Sequence, residues 1–139
     1  MVKVIKINTI NDTIIYNKNK KHYDKYSNIM YIYLLKSCYY CNELKPKLVK
    51  LYDILRKKKD KCLIIEIDAE FLPQTNIPYV SAFPNIVFFK NKKKIEFIKE
   101  RTLRNMLLFY KSNIKNPNTN KKRKNMRKSM RKSMRKKKN

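Results

Sequence analysis

Residues 29–35 read IMYIYLL, seven consecutive apolar or aromatic side chains without a charge. Successive side chains of a strand point to opposite faces, so this run has no polar face to offer water. Its β-branched and aromatic residues favour a strand, and a strand apolar on both faces must be covered on both. The run therefore predicts a central strand in a sheet sandwiched between other elements.

The flanking segments supply those layers. VKVIKI (2–7) alternates apolar and charged residues like a half-buried strand, and CLIIEID (62–68) reads as a second buried one. Residues 8–28 are polar and irregular, and predict a loop with a short helix. From Tyr39 to about Lys59 the period turns helical, with Leu44, Leu48, Leu51 and Leu55 on one face. Pro46 falls inside that pattern and predicts a kink near the second turn. After a short irregular or helical stretch to Ser81, AFPNIVFFKNKKKIEFIKE predicts a hairpin, Asn85–Lys90 and about Lys94–Lys99. Asn91 suits a left-handed turn position in a chain that has no glycine. Thr102 predicts the cap of a last helix with Leu103, Met106, Leu107, Tyr110 and Ile114 along its apolar stripe. Strands alternating with helices imply a parallel sheet with crossover helices, and the hairpin adds an antiparallel edge. The fold class expected is α/β in three layers around a central mixed sheet.

The charge is the second constraint. The chain has 139 residues and a formal charge of +26, from 36 basic residues against 10 acidic ones. Twelve of the 36 fall in residues 121–139, which contain no acid. The division expected is one domain over residues 1–114 and a disordered Lys/Arg-rich tail over 115–139, since a polar repeat such as MRKSMRKSMRKK cannot build a core. A run of cations binds phosphates through counterion release, so Lys121, Lys122, Arg123, Lys124, Arg127, Lys128, Arg131, Lys132 and Arg135 are candidate nucleic-acid contacts. A nuclear-targeting role is the close rival, and a methionine stripe at Met126, Met130 and Met134 a weaker membrane-surface one. Abundant Lys, Asn, Ile and Tyr suit A+T-rich coding, as in large DNA viruses, some protists and some bacteria. The N-terminus lacks the apolar core of a signal peptide, and no apolar run approaches the length of a membrane span. The compartment expected is cytoplasmic or nuclear, or a virion, without classical secretion.

Three cysteines in such a compartment point to redox or metal chemistry more than to a disulfide framework. Cys38 and Cys41 lie three apart in SCYYC, where the buried strand ends and the helix begins. Unpaired backbone N–H groups and the positive end of the helix dipole stabilise a thiolate there. One helical turn on, Cys41 can meet Cys38 as a disulfide, so the pair can attack, form a mixed disulfide and resolve it. A zinc site would need Cys62 and His22 as well. Cys62 begins a core strand and His22 lies in an unstructured basic stretch, so no metal is expected.

The order strand, SCYYC, helix with proline five residues after the second cysteine, LIIEID, then VSAFPNIVFFKN and a final helix resembles thioredoxin and the thioredoxin-type domains of protein disulfide isomerases. The resemblance covers roughly residues 1–114. It implies that Pro84 is the family's cis-proline opposite the cysteine pair, with Ala82 and Val80 at the small and apolar positions before it. It further implies that the Phe83 backbone holds an extended substrate segment, and that no cofactor is needed beyond a redox partner, a reductase or a sulfhydryl oxidase. Tyr39 and Tyr40 either form a substrate platform or pack under the helix. The family usually carries Trp before the first cysteine and Gly-Pro between the pair, where this chain has Ser37 and Tyr39-Tyr40. It also buries an Asp on the strand before the motif and a Lys on the next. Those positions fall at Ile32 and about Leu63 or Ile64, so both charges are expected to be replaced by aliphatics.

The function expected is thiol–disulfide exchange on protein substrates, with Cys38 attacking and Cys41 resolving. The competing class is a nucleic-acid-binding or virion-type structural protein on the same scaffold with silent cysteines.

Overall fold

The computed structural model describes residues 1–115. The calls on residues 121–139, including every candidate nucleic-acid contact above, lie outside the described residues. Along the chain run β1 (Lys3–Ile7), α1 (Ile10–Lys18), α2 (Lys20–Tyr23), β2 (Asn28–Leu34), α3 (Tyr39–Arg56), β3 (Leu63–Asp68), a 3-10 helix (Ala69–Gln74), β4 (Asn85–Lys90), β5 (Lys93–Glu96) and α4 (Leu103–Ile114). The strands form one sheet in the order β1-β3-β2-β4-β5. β1 and β2 pair in parallel with β3, while β4 runs antiparallel to β2 and β5 antiparallel to β4. This is the mixed three-layer sheet expected.

The apolar run of β2 divides by alternation between two cores. Met30, Ile32 and Leu34 pack with Leu44, Leu48, Leu51 and Leu55 of α3 and with Met106 and Tyr110 of α4. Tyr31 and Tyr33 face the other way, onto Tyr16, Tyr23, Ile65, Phe71 and Val87. The hydroxyls on that aromatic side find acceptors. Tyr33 donates to the Pro78 carbonyl at 2.8 Å and Tyr16 to Asn76 Oδ1 at 2.9 Å. A buried phenol without such a partner would cost about 1–3 kcal/mol.

Residues 8–28 hold two helices rather than a loop with one short helix. Thr9 and Asp12 start the first through a capping box, each side chain accepting from the other's end of the turn. His22 lies in α2 and is exposed. α3 runs unbroken through Pro46, whose missing N–H leaves the Asn42 carbonyl without its helical donor. The second hairpin strand is Lys93–Glu96, shorter at its far end than expected, and the residues after Phe97 leave the sheet with Ile98 exposed.

Candidate active site

The register sets where the cysteines lie. β2 ends at Leu34, and Tyr33 pairs with Asn85 at the start of antiparallel β4. Phe83 and Pro84, immediately before β4, are thereby brought beside the turn that carries Cys38. The Phe83–Pro84 peptide is cis. The Cys38 Sγ lies 3.9 Å from the Phe83 carbonyl oxygen.

Cys38 is the N-cap of α3, with extended backbone, and its sulfur accepts from the Cys41 N–H at 3.2 Å. A sulfur in that position takes the part that a Ser or Asp oxygen plays at other helix starts. It therefore binds a backbone donor better as thiolate than as thiol. Cys41 lies one turn inside the helix and is fully buried. Its own sulfur accepts from the Leu35 N–H at 3.4 Å. Both are free thiols, as is Cys62.

These surroundings split the two thiols. The Cys41 side chain hydrogen-bonds the Cys38 sulfur and holds its pKa below the ordinary thiol value; burial opposes this, while the N–H groups of Cys41 and Tyr40 and the Arg101 charge reinforce it. Burial pushes Cys41 up to about 11, and the hydrogen bond it gives Cys38 adds to that. The pair thus consists of one accessible sulfur that ionises readily and one buried sulfur that keeps its proton. Cys62 is buried away from them, pushed up to about 12 by desolvation and by Asp60. It behaves as a small core hydrophobe.

Tyr39 and Tyr40 are 68% and 62% exposed, so neither packs beneath the helix. Their rings meet edge to face at 5.4 Å, and the Tyr39 hydroxyl donates to Glu43 Oε1 at 2.7 Å. Together they form a held aromatic surface beside Cys38.

No protein-family model matches the chain, and no curated protein matches it by sequence. Solved structures do match. The first thioredoxin domain of mouse protein disulfide-isomerase A4 superposes with a TM-score of 0.58 at 16% identity, over 73% of this chain and 72% of that one. The chain has a thioredoxin-like fold. The Drosophila melanogaster thioredoxin Deadhead gives 0.55 at 17% identity, over 77% of this chain and 96% of that one. Human ERp44 gives 0.63 at 12% identity, over 81% of this chain but only 33% of the longer protein.

Two residues escaped the sequence. One is Arg101, in the connection before α4, whose charge acts on both thiols. Its backbone carbonyl accepts from Lys47 of α3 at 3.4 Å. Nothing in the local sequence marks it. The other is Glu66. Ile32 is a buried aliphatic as expected, but the parallel register places Glu66 beside it, not Leu63 or Ile64. Glu66 is only 8% exposed, and the Tyr52 hydroxyl of α3 donates to its Oε1 at 2.8 Å. Lys6 of β1 occupies the same row and lies 5.6 Å from the Tyr52 ring. A buried acidic side chain therefore stands one strand over from Ile32. A single acid within the apolar run LIIEID was the available signal. Among the described residues no cluster of His, Cys, Asp and Glu could hold a metal, and no helix is long and apolar enough to cross a membrane.

Proposed function

We propose that this chain is a thiol–disulfide oxidoreductase acting on protein disulfides through Cys38 and Cys41. The observation that carries this is the split between the two sulfurs. Cys38 caps α3, its sulfur accepting from the Cys41 N–H at 3.2 Å and lying 3.9 Å from the Phe83 carbonyl oxygen, while Cys41 is fully buried one turn on. These surroundings lower the pKa of the first thiol and raise that of the second. The thiolate of Cys38 attacks one sulfur of a substrate disulfide, forming a new S–S bond and releasing the other substrate sulfur as thiolate. Cys41 then gives up its proton and attacks Cys38 Sγ. The second substrate sulfur leaves, and the chain holds the Cys38–Cys41 disulfide. Two electrons pass to the substrate, and each released thiolate takes a proton. The reverse sequence oxidises a substrate dithiol.

Pro84 and Phe83 shape the groove in which the substrate segment lies, and Tyr39 and Tyr40 give it an apolar contact. Glu66 is a carboxylate on the Cys41 side of the sheet and lines a cleft with Leu34 and Leu35, the residue that donates to Cys41. A reductase regenerates the dithiol, or a sulfhydryl oxidase the disulfide. That a structural neighbour is a protein disulfide-isomerase domain supports this chemistry.

The test uses two full-length variants and a peptide disulfide. Cys41→Ser removes the resolving sulfur and should accumulate a mixed disulfide at Cys38. Cys38→Ser should form none and should reduce the peptide no faster than buffer. Equal activity of Cys38→Ser and the unsubstituted chain would remove Cys38 from the mechanism.

A further inference from the structure

The end of the sheet opposite the cysteines carries a second surface that thiol chemistry does not use. β2 is seven residues long, so this pole lies about 20 Å from Cys38 at ~3.3 Å per residue. The β3-to-β4 crossover here is only the 3-10 helix Ala69–Gln74, followed by residues 75–84 without helix or strand. The aromatic side of β2 and β4 is consequently left partly open.

Two clefts meet there. The wider, of about 760 Å³, is lined by Ile29, Tyr31, Phe89 and Tyr26, with the exposed Lys25 and Lys92 at its edge. The narrower, of about 290 Å³, takes in Asn28, Lys61, Lys90 and Lys115. Ser27 and Asn91 line both, tied by the Asn91 N–H donating to the Ser27 carbonyl at 2.8 Å. Tyr26 joins them as well, since the Lys61 ammonium of the narrower cleft sits 5.7 Å from its ring centroid. Phe89 and Tyr31 meet edge to face at 5.4 Å, which holds the Phe89 ring in place.

Five lysines therefore surround a set of half-open aromatic rings. Two carboxylates oppose them, Asp24 in the wider cleft and Asp60 in the narrower. Asp60 already accepts from the Tyr110 hydroxyl at 2.9 Å. Asn28 adds a buried side-chain oxygen with no hydrogen-bond partner among the described residues. Lys115, the last of the described residues, lines the narrower cleft.

We propose that this pole binds single-stranded nucleic acid. The lysines neutralise successive phosphates, and bases stack against Tyr26 and Phe89. An acidic peptide would satisfy the lysines and leave the aromatic faces unused, whereas every base carries a π-face and an anionic linkage together.

The full chain is tested with a single strand of roughly 12 nucleotides carrying a photoreactive thymine, at about 0.3 M salt to weaken purely ionic contacts. Crosslinks are expected at Tyr26 or Phe89. The base-bearing strand should bind roughly tenfold tighter than an abasic strand of equal length, as stacking on even one ring requires. Tyr26→Ala should remove most of that preference. The exposed pair Lys25→Glu and Lys92→Glu should lower the salt slope of binding by about two, and should leave peptide-disulfide reduction unchanged. Crosslinks confined to residues 116–139 would overturn the proposal. So would equal affinity for the abasic strand, or displacement of the strand by an equal concentration of polyglutamate charge.

Discussion

The sulfur of Cys38 and the sulfur of Cys41 are one helical turn apart, yet their surroundings drive them in opposite directions. Cys38 gains from the Cys41 side chain and from the N–H groups of Cys41 and Tyr40, and Cys41 loses water. The sign for reactivity follows. Only the thiolate is nucleophilic, and an ordinary thiol is a few per cent ionised at pH 7. A lowered pKa raises that fraction, so alkylation of Cys38 by iodoacetamide should rise through a midpoint below the usual ~8.5. Cys41 should stay unreactive in the native reduced chain until the pH nears its value of about 11. Mass-spectrometric alkylation profiles against pH check both; a Cys38 midpoint at or above the ordinary value would contradict the assignment. At this scale the pair was legible because its chemistry is local. Two cysteines three apart at a strand-to-helix junction carry their environment with them. Arg101 and Glu66 were not, because each acts through tertiary placement. Arg101 is brought to the pair by the path into α4. Glu66 is revealed only when the β2–β3 register is known, since the spacing to a neighbouring strand cannot be counted through a helix and its loops.

Among the elements, the β4–β5 hairpin bears the clearest strain. Lys90 pairs with Lys93, leaving Asn91 and Lys92 as a two-residue loop, and both have positive φ, 50° and 66°. That is the combination a type I′ turn requires, and it suits Asn better than Lys. Replacing Lys92 with glycine should relieve the left-handed cost and lose part of the gain to the extra freedom of the unfolded chain. The expected net is a stabilisation of about 0.5–1 kcal/mol, read from denaturant midpoints at constant m. A lower midpoint would show that the Lys92 side chain holds the turn by contacts outweighing its backbone strain. Long periodic elements could be read ahead of the structure. The leucines of α3 and the continuous run of β2 bury as their spacing requires. α1 could not, because Ile10, Ile14 and Ile15 are exposed while Thr13 and Tyr16 are buried. Its apolar residues lie largely on the wrong face for the core, which blurs the helical period. The 3-10 helix after β3, with Pro73 inside it, is too short for any period to show.

On the scale of the whole molecule, the two ends of one sheet are fitted for different tasks. At the carboxyl end of β2 the Cys38–Cys41 pair faces the Phe83–Pro84 turn. At the other end lysines and aromatic rings line two adjoining clefts. The formal charge of +26 attracts polyanions in general, and on the proposal above the aromatic clefts add a preference for bases over bare charge. The thiol chemistry depends on neither, so each can fail alone. The most direct measurement is to equilibrate the full chain in a graded series of glutathione buffers, quench with an alkylating reagent and follow Cys38 and Cys41 by mass spectrometry. A Cys38–Cys41 redox couple should give one cooperative two-electron transition to that disulfide, with a midpoint between roughly −270 and −120 mV, the span covered by thioredoxin-like couples, and with Cys62 reduced throughout. Failure of that disulfide to form at any potential, or its formation through Cys62 instead, would contradict the central claim that Cys38 and Cys41 are a redox couple.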